Sequence, residues 1–180
     1  SNAQGQTQSL AFSSEDLLLN FNKFGGNPVI PALPPNPCEG ITGFRDPYVF
    51  WEGGWYYVVI GSGCPGTGGR AHLYRSSDII NWEYRGVLFE APIDGVGEMW
   101  EMPQFFPVGR GKWGFLVNPL PNPRPLYWIG EFIDERFVPD FQEPRVLDVG
   151  AQFLAPEIGF TPDRRLWSIA VGPEARFSAA

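Results

Sequence analysis

Positive charge is scarce in this chain. Its 180 residues carry 13 Lys and Arg against 20 Asp and Glu, a net charge of −7, and the basic residues never gather into a run. A nucleic-acid partner needs a positive stripe, so that class is excluded. An anionic substrate is disfavoured on the same ground, whereas a neutral one such as a sugar fits. Long apolar runs are missing too. A membrane span takes about 20 apolar residues, and the densest stretch here, "YYVVI", has only strand length, so a soluble protein with no membrane partner is expected. There is one histidine, His72 in "GRAHLYRSS", with no serine and acid constellation around it that would make it a catalytic base. It reads as a strand histidine. Cys38 and Cys64 lie on Gly- and Pro-rich segments and match no metal-ligand pattern, leaving one disulfide or two unpaired thiols. Helical periodicity is almost absent, because 22 glycines and 19 prolines interrupt the chain too often.

What remains is a series of strands. "PYVFWE", "GWYYVVIG", "AHLYRSS", "WEYRGVLFE", "MPQFFPV", "KWGFLVNP", "RPLYWIGEFI", "RFVP", "PEIGFT" and "RLWSIAVG" are rich in aromatic and β-branched residues and are separated by turn signals. They predict an all-β protein of antiparallel meanders. The length suits one domain that buries about 70% of its unfolded surface. Ser1-Asn2-Ala3 reads as a remnant of tag removal, leaving 4–180 as the domain. Localisation stays open, with secretion or a periplasmic site among the options. The best helix candidate is "SSEDLLLNF" (13–21), which Ser13 or Ser14 could cap. The same stretch is echoed by "SSDIINW" (76–82), and a separation of about 60 residues fits the outer turn of successive four-stranded propeller blades. "GSGCPGTGGR" (61–70) lacks the Lys-Ser/Thr ending of a phosphate loop and is expected to be a long, mobile hairpin loop.

Two carboxylates have the setting of a site. Asp46, between Arg45 and Pro47, is expected to be held in extended conformation by the proline that follows it. A surface ion pair or a turn would account for the same residues. Glu101 lies in "GEMWEMPQFF" (97–106) between Trp100 and Met102. A carboxyl packed among apolar neighbours tends to keep its proton, as a general acid must. Glu98, behind Gly97, reads as an ordinary solvated carboxylate. Two carboxyls from separate strands could cleave a glycosidic bond, one protonating the leaving oxygen while the other attacks or steadies the oxocarbenium-like centre.

These motifs, in this order, resemble glycoside hydrolase family 32, the invertases, inulinases and levanases. "NPVI" (27–30) is similar to the segment that leads into "FRDP" (44–47), "WYYVVIGSG" and "LYRSSDIINWEYRGVL" to the strands that follow, and "WEMPQFF" to the family's "WECPDFF". "FLVNPLPNPRPLYWIGEFIDERFVPD" resembles the next strand pair, and "LDVGAQFLAPEIGF" the "DxGxDFYAPQ" region. The resemblance implies a five-bladed β-propeller, present here as about blades two to four, and a retaining reaction on β-fructofuranosides such as sucrose, inulin or levan. It implies Asp46 as transition-state stabiliser and Glu101 as acid/base, with Arg45, Phe44, Trp100, Gln104 and Gln152 binding substrate, and neither cofactor nor metal.

The departures from the family pattern are specific. Its nucleophile is an aspartate in an N-terminal "NDPNG"-type motif, and no such sequence occurs in these 180 residues; Asp16 lies in "SSEDLLLNF" instead. Met102 stands where cysteine is common, Gln104 where aspartate is common, Gln152 and Leu154 where an acid or amide and tyrosine are expected, and Glu157 where glutamine is usual. Asp46 and Glu101 alone cannot perform a double displacement. A non-catalytic carbohydrate-binding or interaction propeller is therefore the alternative to a hydrolase. The open blade faces imply self-association or a partner chain that covers them.

Overall fold

The computed structural model describes residues 5–14, 18–34, 38–91, 96–122, 124–148, 154–161 and 166–171. Among them there is no helix, and every strand pairing is antiparallel. Strands β1 (Ala11–Phe12) and β2 (Asn22–Lys23) form a short pair. Next come two four-stranded meanders. The first runs β3 (Phe44–Glu52), β4 (Trp55–Cys64), β5 (Gly68–Ser76) and β6 (Glu83–Glu90). The second runs β7 (Met99–Gly109), β8 (Lys112–Leu120), β9 (Leu126–Ile133) and β10 (Arg136–Pro139), with β11 (Arg145–Val146) also pairing with β9. A last pair is β12 (Leu154–Phe160) and β13 (Leu166–Val171). The described sheets are propeller blades that do not close a ring: two whole blades, with a two-stranded piece before and after.

The hairpins are set by local chemistry. Gly53 and Gly54 both have positive φ between the closing pair Glu52 and Trp55, the two-residue turn whose twist matches that of the strands. Asp134 and Glu135 make the corresponding turn between β9 and β10, again with both φ positive. Alternation along β4 sends Tyr57 and Val59 to one face of the first blade, and Val58 and Ile60 to the other. The first face meets the second blade in one aromatic core. There Phe105 stacks on Trp113 with centroids 4.7 Å apart, and Phe89 sits edge-on to Phe115, Trp128 and Phe137. The other face gathers Ile30, Ile41, Phe44 and Tyr74. Glu135 ties the blades together at their outer edge. It accepts hydrogen bonds from Arg75, Arg85 and Tyr57 of the first blade, so both arginines are paired across the seam.

Two expectations are overturned. The "SSEDLLLNF" segment is not helical where it is described: Leu18–Phe21 are irregular, and the stretch connects β1 to β2. Glu15–Leu17 lie outside the described residues. The echo has a structural counterpart, since Leu18 and Ile79 occupy the same place in the two copies and both have positive φ. In the second copy Asp78 caps the turn, accepting from the backbone N–H of Ile80 and Asn81. These hydrogen bonds hold its carboxyl well below the usual carboxylate range. Leu18 and Leu19 of the first copy and Ile79 and Ile80 of the second lie in irregular, non-helical backbone. "GSGCPGTGGR" is likewise no long loop, because it forms the end of β4, a turn around Pro65 and the start of β5. Its glycines Gly61 and Gly63 let the backbone of the second blade approach β4 closely.

Of the two options for the cysteines, the structure shows the disulfide: Cys38 is bonded to Cys64, joining the segment before β3 to the end of β4. Closing a loop of this length is worth roughly 3 kcal/mol in chain entropy. A Cys38→Ser, Cys64→Ser double variant is therefore expected to unfold at lower urea than the oxidised protein, and to match the protein treated with reductant.

His72 is buried, at 2% exposure, with Nδ1 3.0 Å from the Tyr84 hydroxyl. Burial, aided by the positive charge of Arg70, lowers its pKa to about 3, so the folded protein holds the imidazole neutral. The unfolded chain protonates below the ordinary 6.5 while the fold cannot. The associated stability is complete above pH 6.5 and is lost as pH falls toward about 3. The slope approaches about 1.4 kcal/mol per pH unit. Urea midpoints measured across this range should fall less steeply for His72→Phe than for the wild type.

Candidate functional site

The innermost strands of the three successive blades, β3, β7 and β12, share one local device. Each contains a residue followed by proline (Asp46-Pro47, Met102-Pro103, Ala155-Pro156), and each of those residues has positive φ: 59°, 48° and 47°. At each the strand register shifts, between Arg45 and Tyr48, Glu101 and Gln104, and Leu154 and Glu157. Asp46 is thus in the left-handed region and not extended, as the sequence had suggested. The proline disfavours right-handed helical backbone before it, and the bulge must absorb an extra residue with a sharp change of direction. Left-handed backbone costs on the order of 1 to 2 kcal/mol per residue outside glycine, and the surrounding sheet holds it in place.

The bulges bring the predicted carboxylates together. Strand β7 crosses β4 so closely that a Cβ at Gly61 would overlap the Trp100 carbonyl, and one at Gly63 would overlap the carbonyl of Glu98. This approach sets Glu101 beside the start of β3. Arg45 Nη2 donates to Glu101 Oε1 at 2.5 Å and Arg45 Nε to the same oxygen at 3.2 Å. Arg45 Nε also stands 4.0 Å from Asp46 Oδ2, and Asp46 Oδ2 accepts the backbone N–H of Met102 at 3.1 Å. One guanidinium therefore lies between two carboxylates that come from different blades. All three side chains keep about a quarter of their surface exposed (26%, 26% and 29%). The apolar enclosure expected around Glu101 is absent, since Arg45 occupies its carboxylate and Trp100 turns away. Glu98 is exposed, as expected of it.

A cleft of about 130 Å³ opens beside this cluster, lined by Asp46, Pro47, Tyr48, Met102, Pro103, Gln104 and Glu157. Phe44 and Trp100, expected to bind substrate, are not there. Both are fully buried, Phe44 against His72 and Tyr74 and Trp100 in the core between blades, its indole N–H donated to Val96 O. Strand alternation gives the reason, because each neighbours a residue that faces the cleft side and so points the opposite way. Gln104 lines the cleft, but its amide is committed to the next blade. Nε2 donates to Pro156 O, and Oε1 accepts the N–H of Ile158 at 2.8 Å. Asn118 makes a similar tie, accepting the N–H of Ala155. Gln152 lies outside the described residues.

Sequence reasoning passed over Tyr48, and noted Glu157 only as a departure. Both follow the bulge proline, as Gln104 does, so the repeated residue-proline pattern was the signal that could have found them. Tyr48 has its pKa raised by burial and, secondarily, by the negative charge of Glu157.

Comparison with known proteins bears on this arrangement. The model of the glycosyl hydrolases family 32 N-terminal domain matches residues 1–175. A sucrose-6-phosphate hydrolase of Klebsiella pneumoniae is 31% identical, over 89% of this chain and 36% of its own length. A levanase of Bacillus subtilis is 32% identical, over 90% of this chain and 25% of its own length. Among solved structures, a mutant form of a Bombyx mori family 32 β-fructofuranosidase in complex with sucrose superposes with a TM-score of 0.73 at 37% identity. The match covers 87% of this chain and 34% of that one. Fructan 1-exohydrolase IIa of Cichorium intybus gives a TM-score of 0.74 at 25% identity, covering 91% of this chain and 34% of that one. The chain thus spans about a third or less of the length of these relatives. The family match runs across both blades and the cleft between them, and the chain belongs to glycosyl hydrolase family 32.

Proposed function

We propose that this chain supplies the Arg45, Asp46 and Glu101 part of a β-fructofuranosidase site. The observation that carries the reading is the single guanidinium of Arg45 set between Glu101 and Asp46, which makes two carboxyls from different blades into one cluster beside a cleft. In the proposed reaction Glu101 protonates the glycosidic oxygen as the bond to the fructosyl C2 breaks. Asp46, its Oδ2 fixed by the Met102 N–H, binds fructosyl hydroxyls and steadies the oxocarbenium-like centre. A nucleophilic aspartate on an "NDPNG"-type segment outside these 180 residues captures C2. Water then attacks C2 as Glu101 takes its proton, and the bond between C2 and the aspartate breaks, which releases fructose with retained configuration. A retaining pair lies about 5 to 5.5 Å apart, so that segment must reach the same cleft.

The exposed apolar residues Phe12, Leu18, Leu19, Phe21, Val49 and Trp51 support a further proposal, that additional propeller strands or a second chain cover them. The test joins both ideas. The chain is assayed alone and with a co-expressed family 32 segment carrying the motif, on sucrose, inulin and levan, with light scattering to follow assembly. Fructose release that requires the co-expressed segment, together with a mass larger than one chain, is the expected result. An assembled complex that neither binds nor cleaves any of the three would overturn the site assignment. A stable monomer with no association would overturn the covering strands.

A further inference from the structure

The three bulges place one residue after each proline around the same cleft: Tyr48, Gln104 and Glu157. Gln104 has spent its amide on the neighbouring blade, and Tyr48 is largely enclosed. Glu157 alone of the three is exposed, and among the described residues no cation pairs with it. The cleft wall therefore presents the carboxylates of Asp46 and Glu157, with Glu101 held next to Asp46 through Arg45. Among the described residues the cation beside Asp46 is Arg45, and it is already engaged by Glu101. The other described arginines with ion pairs lie in separate clusters, at Glu90, Glu83 and Glu135.

We infer that Glu157 is a specificity-determining residue that makes this cleft select uncharged fructosyl sugars and reject sugar phosphates. The inference deepens the fructosyl-site reading and rests on it. An ionised carboxylate accepts hydrogen bonds and donates none. It can receive a sugar hydroxyl, but it repels a phosphate dianion held in the same cleft, by a Coulomb repulsion that salt screens. Glutamine at 157 would keep the shape and the accepting oxygen while removing the charge, so it separates the two effects.

The experiment is calorimetric titration of the full chain with sucrose, fructose, sucrose 6-phosphate and fructose 6-phosphate, at low and high salt. It is run for the wild type, for Glu157→Gln, and for Glu52→Gln, an exposed carboxylate at the far end of β3. The wild type is expected to bind the uncharged sugars about tenfold more tightly than their phosphates at low salt, with the gap shrinking as salt screens it. Glu157→Gln should narrow the gap at least about threefold, through tighter binding of the phosphates, while Glu52→Gln leaves the gap as it was. Equal binding of sugars and phosphates by the wild type would overturn the inference. So would an unchanged gap in Glu157→Gln, or equal narrowing in both variants, which would make the effect one of net charge. The same titrations are run on the assembly with the motif-bearing segment, and if no sugar binds to either form, the fructosyl-site reading itself fails, an outcome distinct from a site that binds both classes alike.

Discussion

Glu101→Gln in the assembly completed by the motif-bearing segment is expected to lower fructose release from sucrose about a thousandfold, the scale of a lost general acid. The fold should be untouched. Gln Oε1 can still accept from Arg45, which now donates to Glu101 at 2.5 Å, and the side chain, 29% exposed, is not part of the core. What disappears is the proton for the leaving oxygen. A fructoside whose leaving group needs no protonation, such as a nitrophenyl derivative, should therefore recover most of the first step in the variant. Asp46→Asn should not recover with that substrate, because the stabilising carboxylate acts on the fructosyl centre whatever the leaving group. Equal loss on both substrates in Glu101→Gln would remove Glu101 from the acid role.

The second large effect concerns the approach of the blades. At Gly63 a Cβ would overlap the carbonyl carbon and oxygen of Glu98 and the Cα of Met99. All of these are backbone, so no rotamer change can make room. Gly63→Ala should cost roughly 3 kcal/mol, the upper end for overpacking, and should push the start of β7 away from β4. Glu101 lies three residues beyond Glu98 on that segment, so its contact with Arg45 is expected to loosen as well. Gly25→Ala is the control, since a Cβ there meets nothing within 4 Å. Urea unfolding of the two variants gives the stability difference, and fructose affinity reports whether the site opened. Equal stability of Gly63→Ala and Gly25→Ala would show that β4 and β7 are not in close contact.

The parts of this structure legible in the sequence were those decided locally. Aromatic and β-branched runs became strands, and paired turn residues such as Gly53 and Gly54 closed hairpins. The Ser-acid-aliphatic echo marked two strand connections that share a positive φ, at Leu18 and Ile79. Failures came where a distant partner decides. "SSEDLLLNF" has helical composition, but β1 and β2 pair on either side of it. The glycines of "GSGCPGTGGR" looked like loop because the strand they accommodate, β7, lies about 40 residues further along, a contact no local pattern reports. At the site, Arg45, Asp46 and Glu101 were legible as charged residues in a restrained aromatic setting. Phe44 and Trp100 were misplaced because alternation, applied to their charged neighbours, would have turned them inward. Tyr48 and Glu157 needed the recognition that three residue-proline pairs mark the same bulge on three inner strands.

The central claim is that the carboxyls of Asp46 and Glu101 serve one bound fructosyl unit. A crystal structure of the chain soaked with fructose tests it most directly. The account predicts a single sugar in the cleft between β3 and β7, with hydroxyl or ring oxygens at hydrogen-bond distance, about 2.6 to 3.2 Å, from both carboxylates. Fructose bound elsewhere on the protein, or held by only one of the two with the other beyond reach of the ring, would contradict it.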